Sequence, residues 1–429
     1  MNRRSRSVGV LATALTVTLA LAGCGRDDDS GSGGAGPGVT DDPCPNAVDD
    51  SKGCIYLGTI TDLTGVFKGV GEPFTAGQKA FWDEINKAGG VGDYEVDVTR
   101  HVKDSGYDPE KHAELFNEIK DDILAVSQSL GTAHTNAILE DATNESILIG
   151  PASLGSNWIF DDISIEVGSS YCTEAMNAVD YAADQGARSI AVVHFPGDYG
   201  DDAMVGARIA AEERGLKFTD VPTGTVDGGD DQSAAIGAVL KAKPDYVIIA
   251  TGPKEMASVV GGTAAQKFTG KFIGSIPSWN AAVLDSPAGP AIQALYMQAS
   301  SFPTWEADVP GMEKMRAAAG DTAPNDWFSI GYSSGYVMKA ILEKALEDDK
   351  LDREGLVDVA NSLTGIDSEG TLPEGTANWA GDPNDDAVRV TQLNKVDPKA
   401  SSKISLAVDP FTGPTAENYE FTEPCYLMK

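Results

Sequence analysis

Residues 54–60, Cys-Ile-Tyr-Leu-Gly-Thr-Ile (CIYLGTI), form a short apolar run with β-branched and aromatic members, which reads as a buried strand. Behind it, Glu72–Ala88 places Phe74, Phe81, Trp82 and Ile85 at helical spacing and stops at Gly89-Gly90, so a helix follows the strand. Tyr94–Val102 then alternates polar and apolar residues as a second strand. Asp108-Pro109-Glu110 opens a second helix, with the acid as N-cap and Pro at the first helical position. Ile123–Ser127, a helix from about Thr132, and Ile147–Gly150 continue the series. Strands separated in this way by helices pair in parallel, because a parallel pair requires a crossover connection.

The alternation restarts after Cys172. A helix running to Gln185 leads into the strand Ile190–Phe195, a helix over Asp201–Arg214 and the strand Lys217–Val221. A helix over Gln232–Lys241, the strand Tyr246–Ala250, a helix from Pro253 and the strand Lys271–Ile276 complete it. Two runs of this kind predict an α/β chain with two doubly wound parallel-sheet lobes.

Such sheets bind ligands beyond the carboxyl ends of their strands, where helix N-termini offer free N–H groups. The loops in question are Thr61–Gly71, Asp104–Asp108, Gln128–Thr132, Ala152–Gly155, Pro196–Gly200, Thr251–Pro253 and Pro277–Asn280. They and their flanks carry hydroxyls, glycines and aromatics (Phe67, Tyr107, Trp158, Tyr199, Trp279) and few basic groups, a mixture that suits a small, partly apolar molecule. The candidate ligand-binding residues are Thr64, Tyr107, Ser129, Thr132, Ala152, Ser153, Tyr199, Thr251 and Trp279.

The N-terminus supplies the compartment. Arg3, Arg4 and Arg6 precede an apolar run from Val8 to Ala22, too short to span a bilayer, which takes about 20 helical residues, and therefore readable as an export signal. Leu21-Ala22-Gly23-Cys24 resembles a bacterial lipobox, with residues 1–23 removed and Cys24 lipidated; an ordinary signal peptide ending beside a chance Cys is the alternative. Residues 24–43, dominated by Asp, Gly, Ser and Pro, read as a flexible tether, and their Gly-x-Gly patterns follow no strand and so are no nucleotide loop. Without the three Arg of residues 1–23, the 32 basic residues become 29 against 65 acidic ones, a net charge near −36. That balance excludes an electrostatic grip on nucleic acid and argues against lying flat on an anionic membrane. Cys44, Cys54, Cys172 and Cys425 form an even set in an exported chain and read as two disulfides. Three pairings are open; the closeness of Cys44 and Cys54 favours 44–54 with 172–425.

Other chemistry fits the chain less well. Gly331-Tyr332-Ser333-Ser334-Gly335 matches the G-x-S-x-G nucleophile pattern, but His101, His112, His134 and His194 all precede Ser333, whereas a hydrolase of that class carries its His after the nucleophile. Small residues in a packed helix explain the match. No His pair has zincin spacing; His112 reads as solvated on a helix surface, His194 as a hydrogen-bonded core residue, and His134, near a helix N-terminus, as the one His to watch for ligand contact. The acid clusters Asp227–Asp231 and Asp382–Asp386 lack calcium-loop spacing. Trp82 is core by its helical position. No cofactor or metal is expected.

Taken together, the lipobox, the leash, Ile60–Gly65 (ITDLTG), Asp104–Pro109 (DSGYDP), Ile149–Ser153 (IGPAS), Asp198-Tyr199-Gly200 and Gly331-Tyr332 resemble the solute-binding lipoproteins of ABC importers, specifically the leucine/isoleucine/valine-binding type with the type I periplasmic-binding fold. The resemblance implies two lobes, 44–168 with 304–362 and 171–300 with 366–429, joined by a three-strand hinge near Gly168–Ser170, Ser300–Pro303 and Leu363–Ile366. It implies a monomer, lipid-anchored on the extracytoplasmic face of the membrane, that closes on a small molecule and delivers it to ABC permease subunits. In that family, hydroxyls and N–H groups hold an α-carboxylate where Gly131-Thr132 and Ala152-Ser153 stand here, although Leu154 replaces an expected hydroxyl. The family's acid for the α-ammonium has no counterpart in Gly274–Trp279 (GSIPSW), and an uncompensated ammonium in a closed cleft is costly. The expected ligand is therefore an amide, a carboxylic acid, or an aromatic or aliphatic compound. A sensor of the same fold, a secreted serine hydrolase using Ser333, and a surface adhesion protein are the rival readings.

Overall fold

The computed structural model describes residues 36–224, 231–379 and 382–428. Its first sheet contains β1 (Val39–Thr40), β2 (Gly53–Thr61), β3 (Tyr94–Asp104), β4 (Ala125–Ser129) and β5 (Ile149–Pro151). β2 is central, with β3 and β4 parallel to it and β5 parallel beyond β4, while β1 pairs antiparallel with Cys54 and Ile55. The second sheet has the order β12-β11-β10-β9-β8-β6-β7. Its strands are β6 (Ser189–His194), β7 (Lys217–Pro222), β8 (Tyr246–Ala250), β9 (Lys271–Gly274), β10 (Tyr296–Ser300), β11 (Thr391–Val396) and β12 (Ile404–Phe411). The five from β7 to β10 are parallel, as the alternation predicts; β11 and β12 add an antiparallel edge from the last part of the chain, which carries no crossover helix.

Helices cover the faces: α1 (Lys68–Lys87), α2 (Pro109–Ile119), α3 (Thr132–Asn144), α4 (Tyr171–Asp184), α5 (Asp198–Glu213), α6 (Ser233–Ala242), α7 (Pro253–Ala265), α8 (Gly289–Leu295), α9 (Pro310–Ala319), α10 (Asp326–Glu347) and α11 (Arg353–Ala360). Asp108 caps α2 as expected, its carboxylate accepting from the N–H groups of Glu110 and Lys111 at 2.9 and 3.1 Å. Several boundaries differ from the sequence reading: α1 starts at Lys68 rather than Glu72, α5 at Asp198 rather than Asp201, and β5 at Ile149 rather than Ile147. β4 begins two residues after Ile123, and β9 ends at Gly274, because Pro277 turns the chain into a 3-10 turn over Ile276–Ser278. The end of the tether is a further correction. Residues 36–43 belong to the fold: Val39 is buried, Gly38 O accepts from Tyr56 N, and a Cβ on Gly38 would lie 2.0 Å from Leu124 N.

Both disulfides form, Cys44–Cys54 and Cys172–Cys425. The chain passes between the sheets three times. Ser169 N donates to Ser301 Oγ at 2.9 Å, and Ser169 Oγ donates to Val390 O at 2.5 Å, which ties the passes together. The third pass is longer than the sequence reading around Leu363–Ile366, because a Thr364–Asn378 bridge folds the chain back before it reaches β11.

G-x-S-x-G lies within α10, and its first glycine has a packing role. A Cβ on Gly331 would stand 2.1 Å from Phe74 O of α1, and one on Gly77 would stand 2.1 Å from Phe328 O, so the two helices cross with backbone against backbone. Ser333 is buried and donates to Ser329 O at 2.7 Å within its own helix. Gly331→Ala should therefore destabilise the protein by about 1–3 kcal/mol through overpacking. Ser333→Ala should cost no more than about 1 kcal/mol, the worth of one local hydrogen bond. Urea unfolding of the two variants checks the contrast; equal losses would mean that the crossing is looser than described.

Candidate ligand-binding cleft

The carboxyl ends of both sheets face one another across a narrow cleft. Its near wall is built by Phe67 and Val70 at the start of α1, Tyr107 after β3, Leu130-Gly131-Thr132 entering α3, Ala152-Ser153 after β5, and Trp327 at the start of α10. The far wall is Tyr171, Tyr199 and Pro277. Among the nine residues expected to bind ligand, Tyr107, Thr132, Ala152, Ser153 and Tyr199 meet here.

The other four lie elsewhere. Thr64 is exposed and donates to Asp104 Oδ2 at 2.8 Å. Ser129 is buried beneath the wall, with its hydroxyl 2.9 Å from His112 Nε2 and 2.7 Å from Thr135 Oγ1. Thr251 spends its hydroxyl on Gly252 O, and its carbonyl accepts from Tyr199. The Trp279 ring stacks on Tyr296 inside the second lobe, leaving only its carbonyl near the cleft, where Trp327 Nε1 approaches to 3.4 Å.

Direct contacts hold the lobes together. Asn136 on α3 donates to Asp198 on α5 at 3.0 Å, and Asn280 Nδ2 donates to Gly69 O at 3.2 Å. The second contact follows from the sequence of α1. Pro73 has no N–H, so the carbonyl four residues earlier, that of Gly69, is released from the helix ladder and is open to a donor from the opposite lobe. With the lobes meeting this closely, the cleft retains about 20 Å³ of free volume, room for roughly one water.

The chemistry of the near wall is that of an anion site built without cations. α3 starts at Thr132 behind Gly131, whose φ of 104° only glycine adopts readily, and no side chain among the described residues caps its first turn. Its N–H groups are therefore available to an acceptor. Thr132 Oγ1 and Ser153 Oγ, in residues only 2% and 4% exposed, have no hydrogen-bond partner among the described residues. Buried hydroxyls are seldom left unpaired, and a ligand oxygen between them would satisfy both. None of the described Lys, Arg, Asp or Glu residues lines the cavity.

Tyr107 holds a left-handed φ of 62°, which turns its ring against Phe67 at 4.6 Å and His134 at 4.1 Å. Such backbone strain in a non-glycine residue clusters at binding sites. His134 is buried behind Gly131, and burial holds it below its ordinary value, so the ring is neutral near pH 7. His112, expected on a solvated face, is fully buried and pushed down to about 3 by that burial; α2 lays this residue on the sheet, where it meets Ser129. His194 is the hydrogen-bonded core residue expected, with its ring nitrogens 2.8 Å from Phe195 O and Asp220 Oδ1.

On the far wall, Tyr199 OH pairs with Ser275 Oγ at 2.8 Å and its ring lies 4.5 Å from Tyr171, so the ring rather than the hydroxyl is presented to the cleft. An acid that the sequence does not single out underlies this wall. Glu174 of α4 accepts from Ile276 N at 3.1 Å, and complete burial holds its carboxyl well above the usual range. Pro277 belongs to a loop that the sequence places at the strand ends, whereas Tyr171 and Trp327 likewise escape a reading of the sequence. Both lie at helix starts, and only tertiary packing turns them toward the cleft. The acid cluster Asp227–Asp231 lies outside the described residues except for Asp231; Asp382 is an N-cap accepting from Asn384 N. Among the described residues no group of three metal-ligating side chains is assembled.

The sequence family described as periplasmic binding protein matches residues 55–399, nearly the whole of the two lobes. The chain belongs to the periplasmic binding protein family. Among solved structures, this periplasmic binding protein is similar to a fatty acid ABC transporter substrate-binding protein from Thermomonospora curvata, at 27% identity over 90% of this chain and 96% of that one, with a TM-score of 0.81. It shares its fold with a branched chain amino acid ABC transporter protein from Thermus thermophilus with bound valine (18% identity, 85% and 98% covered, TM-score 0.73). The same holds for a leucine binding protein from Thermotoga maritima (17% identity, 83% and 98% covered, TM-score 0.69). No curated protein matches the sequence significantly.

Proposed function

We propose that this periplasmic binding protein captures a small carboxylic acid with an apolar body between its lobes and delivers it to an ABC importer. The observation that carries the reading is the pair of unpartnered hydroxyls, Thr132 Oγ1 and Ser153 Oγ, beside the uncapped start of α3 in a cavity lined by no charged side chain among the described residues. These groups complement a carboxylate, whereas no charged side chain among the described residues lines the cavity to meet an α-ammonium. The likeness to the fatty acid transporter protein supports the same ligand class. The lobes are 36–168 with 304–362 and 171–300 with the chain from β11 onward, and ligand contacts to both favour the closed arrangement. Cys24 anchors a monomer by lipid to the extracytoplasmic face of the membrane after removal of residues 1–23, and the protein performs no catalysis.

Calorimetric titration with hexanoate, benzoate, leucine and valine tests the reading. A carboxylate without an amine should bind, and Thr132→Val combined with Ser153→Ala should weaken it by about tenfold to a hundredfold, the worth of one or two hydrogen bonds to a charged group. Leucine or valine binding more tightly than both amine-free acids would overturn the ligand class and leave the receptor reading in place.

A further inference from the structure

Two asparagines bridge the lobes in opposite directions, and each is held ready by its own lobe. Asn280 follows the turn over Ile276–Ser278 in the second lobe. Its Oδ1 accepts from Ala282 N at 2.9 Å, which directs Nδ2 at Gly69 O of α1, 3.2 Å away. Asn136 on α3 repeats the arrangement from the first lobe: Oδ1 accepts from Asn157 Nδ2 at 2.9 Å, and Nδ2 donates to Asp198 Oδ2 on α5 at 3.0 Å. An amide whose oxygen is already engaged has its donor aimed in advance, so little rotamer freedom remains to be lost when the crossing bond forms.

The acceptors are prepared as well. Pro73 leaves the Gly69 carbonyl without its helical donor, and Gly69 itself admits the amide, since a Cβ there would stand 2.8 Å from Asn280 Nδ2. Opposite Asn136 the acceptor is a carboxylate in a half-buried contact, and hydrogen bonds to a charged group are stronger than neutral ones. Neither asparagine lines the cleft, so both bonds join the lobes without touching the solute.

Resting on the capture between lobes proposed above, we propose that Asn136 and Asn280 are positioning residues: a pair of preset clasps that raise the population of the closed arrangement and so scale the affinity for every solute by one common factor. A binding-competent state that is only fractionally populated lowers the apparent affinity by that fraction, whichever solute is bound. Both crossing bonds are lost when the lobes part, so each clasp contributes to the closed fraction and neither distinguishes one solute from another. Selection among solutes stays with the cleft.

The test is titration of the full chain with hexanoate and with benzoate, together with X-ray scattering of the unliganded chain. It compares wild type, Asn280→Asp, Asn136→Asp, and Asn136→Asp combined with Asp198→Asn. Each single change keeps the oxygen that its own lobe engages and replaces the crossing donor by an acceptor. Asn280→Asp should weaken both acids by the same factor, about threefold to tenfold, the worth of one hydrogen bond. Asn136→Asp should weaken both by more, because two carboxylates then face each other across the lobes. The combined variant reverses donor and acceptor and should regain most of the wild-type affinity, which a folding defect would not allow. Unequal factors for the two acids, unchanged affinity in both single variants, or no recovery in the combined variant would overturn the clasps and leave the carboxylate site standing. If neither acid binds wild type, the carboxylate site fails and scattering alone decides. A larger radius of gyration in the single variants then supports the clasps, and unchanged dimensions overturn them.

Discussion

Replacing Cys172 and Cys425 together by Ala is expected to cost the protein about 5 kcal/mol, a large share of the stability of an ordinary folded chain. The bridge spans 253 residues, and the entropy that a cross-link removes from the unfolded chain grows with the logarithm of the loop. The Cys44–Cys54 bridge closes a loop of only 10 and should contribute about half as much. The long bridge fixes the 3-10 turn at Cys425–Leu427 to the first turn of α4, and nearby Cys425 N donates to Ser156 Oγ at 2.8 Å. Urea unfolding of the double variant measures the effect. A midpoint indistinguishable from wild type would mean that contacts such as Arg208 to Met428 O hold the C-terminal segment without the bridge.

The second large effect is a dependence on pH that runs opposite to the usual acid denaturation. Asp202 on α5 is fully buried, and burial pushes it from 3.8 up to about 7 despite hydrogen bonds from Ser156 Oγ and from the N–H groups of Ser156 and Cys172, each N–H at 3.1 Å. The folded protein therefore binds a proton at this site that the unfolded chain, titrating near 3.8, has already released. Stability from this group is fully present below about pH 4 and is lost as pH rises toward 7, at up to about 1.4 kcal/mol per pH unit and about 4 kcal/mol in all. Asp202→Asn keeps the shape without the charge. The difference in unfolding free energy between wild type and variant should thus swing toward the variant between pH 4 and 7 and flatten above it. Parallel pH profiles would show that Asp202 stays charged in the folded state. Because Asp202 and the Cys172–Cys425 bridge share Ser156 and Cys172, the two changes are expected to be non-additive.

Both effects converge on one junction, where the segment after β5, the start of α4, α5 and the C-terminal turn are joined. That junction borders the cleft at Tyr171 and Ser153, so a covalent tie and a buried polar cluster lie behind the proposed ligand-binding surface.

The elements were legible because each is a local matter. Cys54–Ile60, Tyr94–Val102 and Tyr246–Ala250 have strand periodicity whatever surrounds them, and Asp108-Pro109 starts a helix by its own capping chemistry. The parallel pairing, the two lobes and the disulfide partners followed from that order and from the closeness of Cys44 to Cys54. Half of the near wall was legible for the same reason, since Gly131-Thr132 and Ala152-Ser153 directly follow strands. What the sequence left undecided depends on which faces meet. Trp279 and Trp327 look alike as aromatics in or beside loops, but packing turns the first into the second lobe's core and the second toward the cleft. His112 and Val39 lie on polar-looking segments, yet each is buried by a sheet assembled from distant chain. The burial of Glu174 depends on packing within the second lobe, and the partner that Asn280 gives the Gly69 carbonyl exists only when the two lobes meet. Periodicity and capping act over a few residues and so can be read along the chain, whereas desolvation and shape belong to surfaces that exist only after folding.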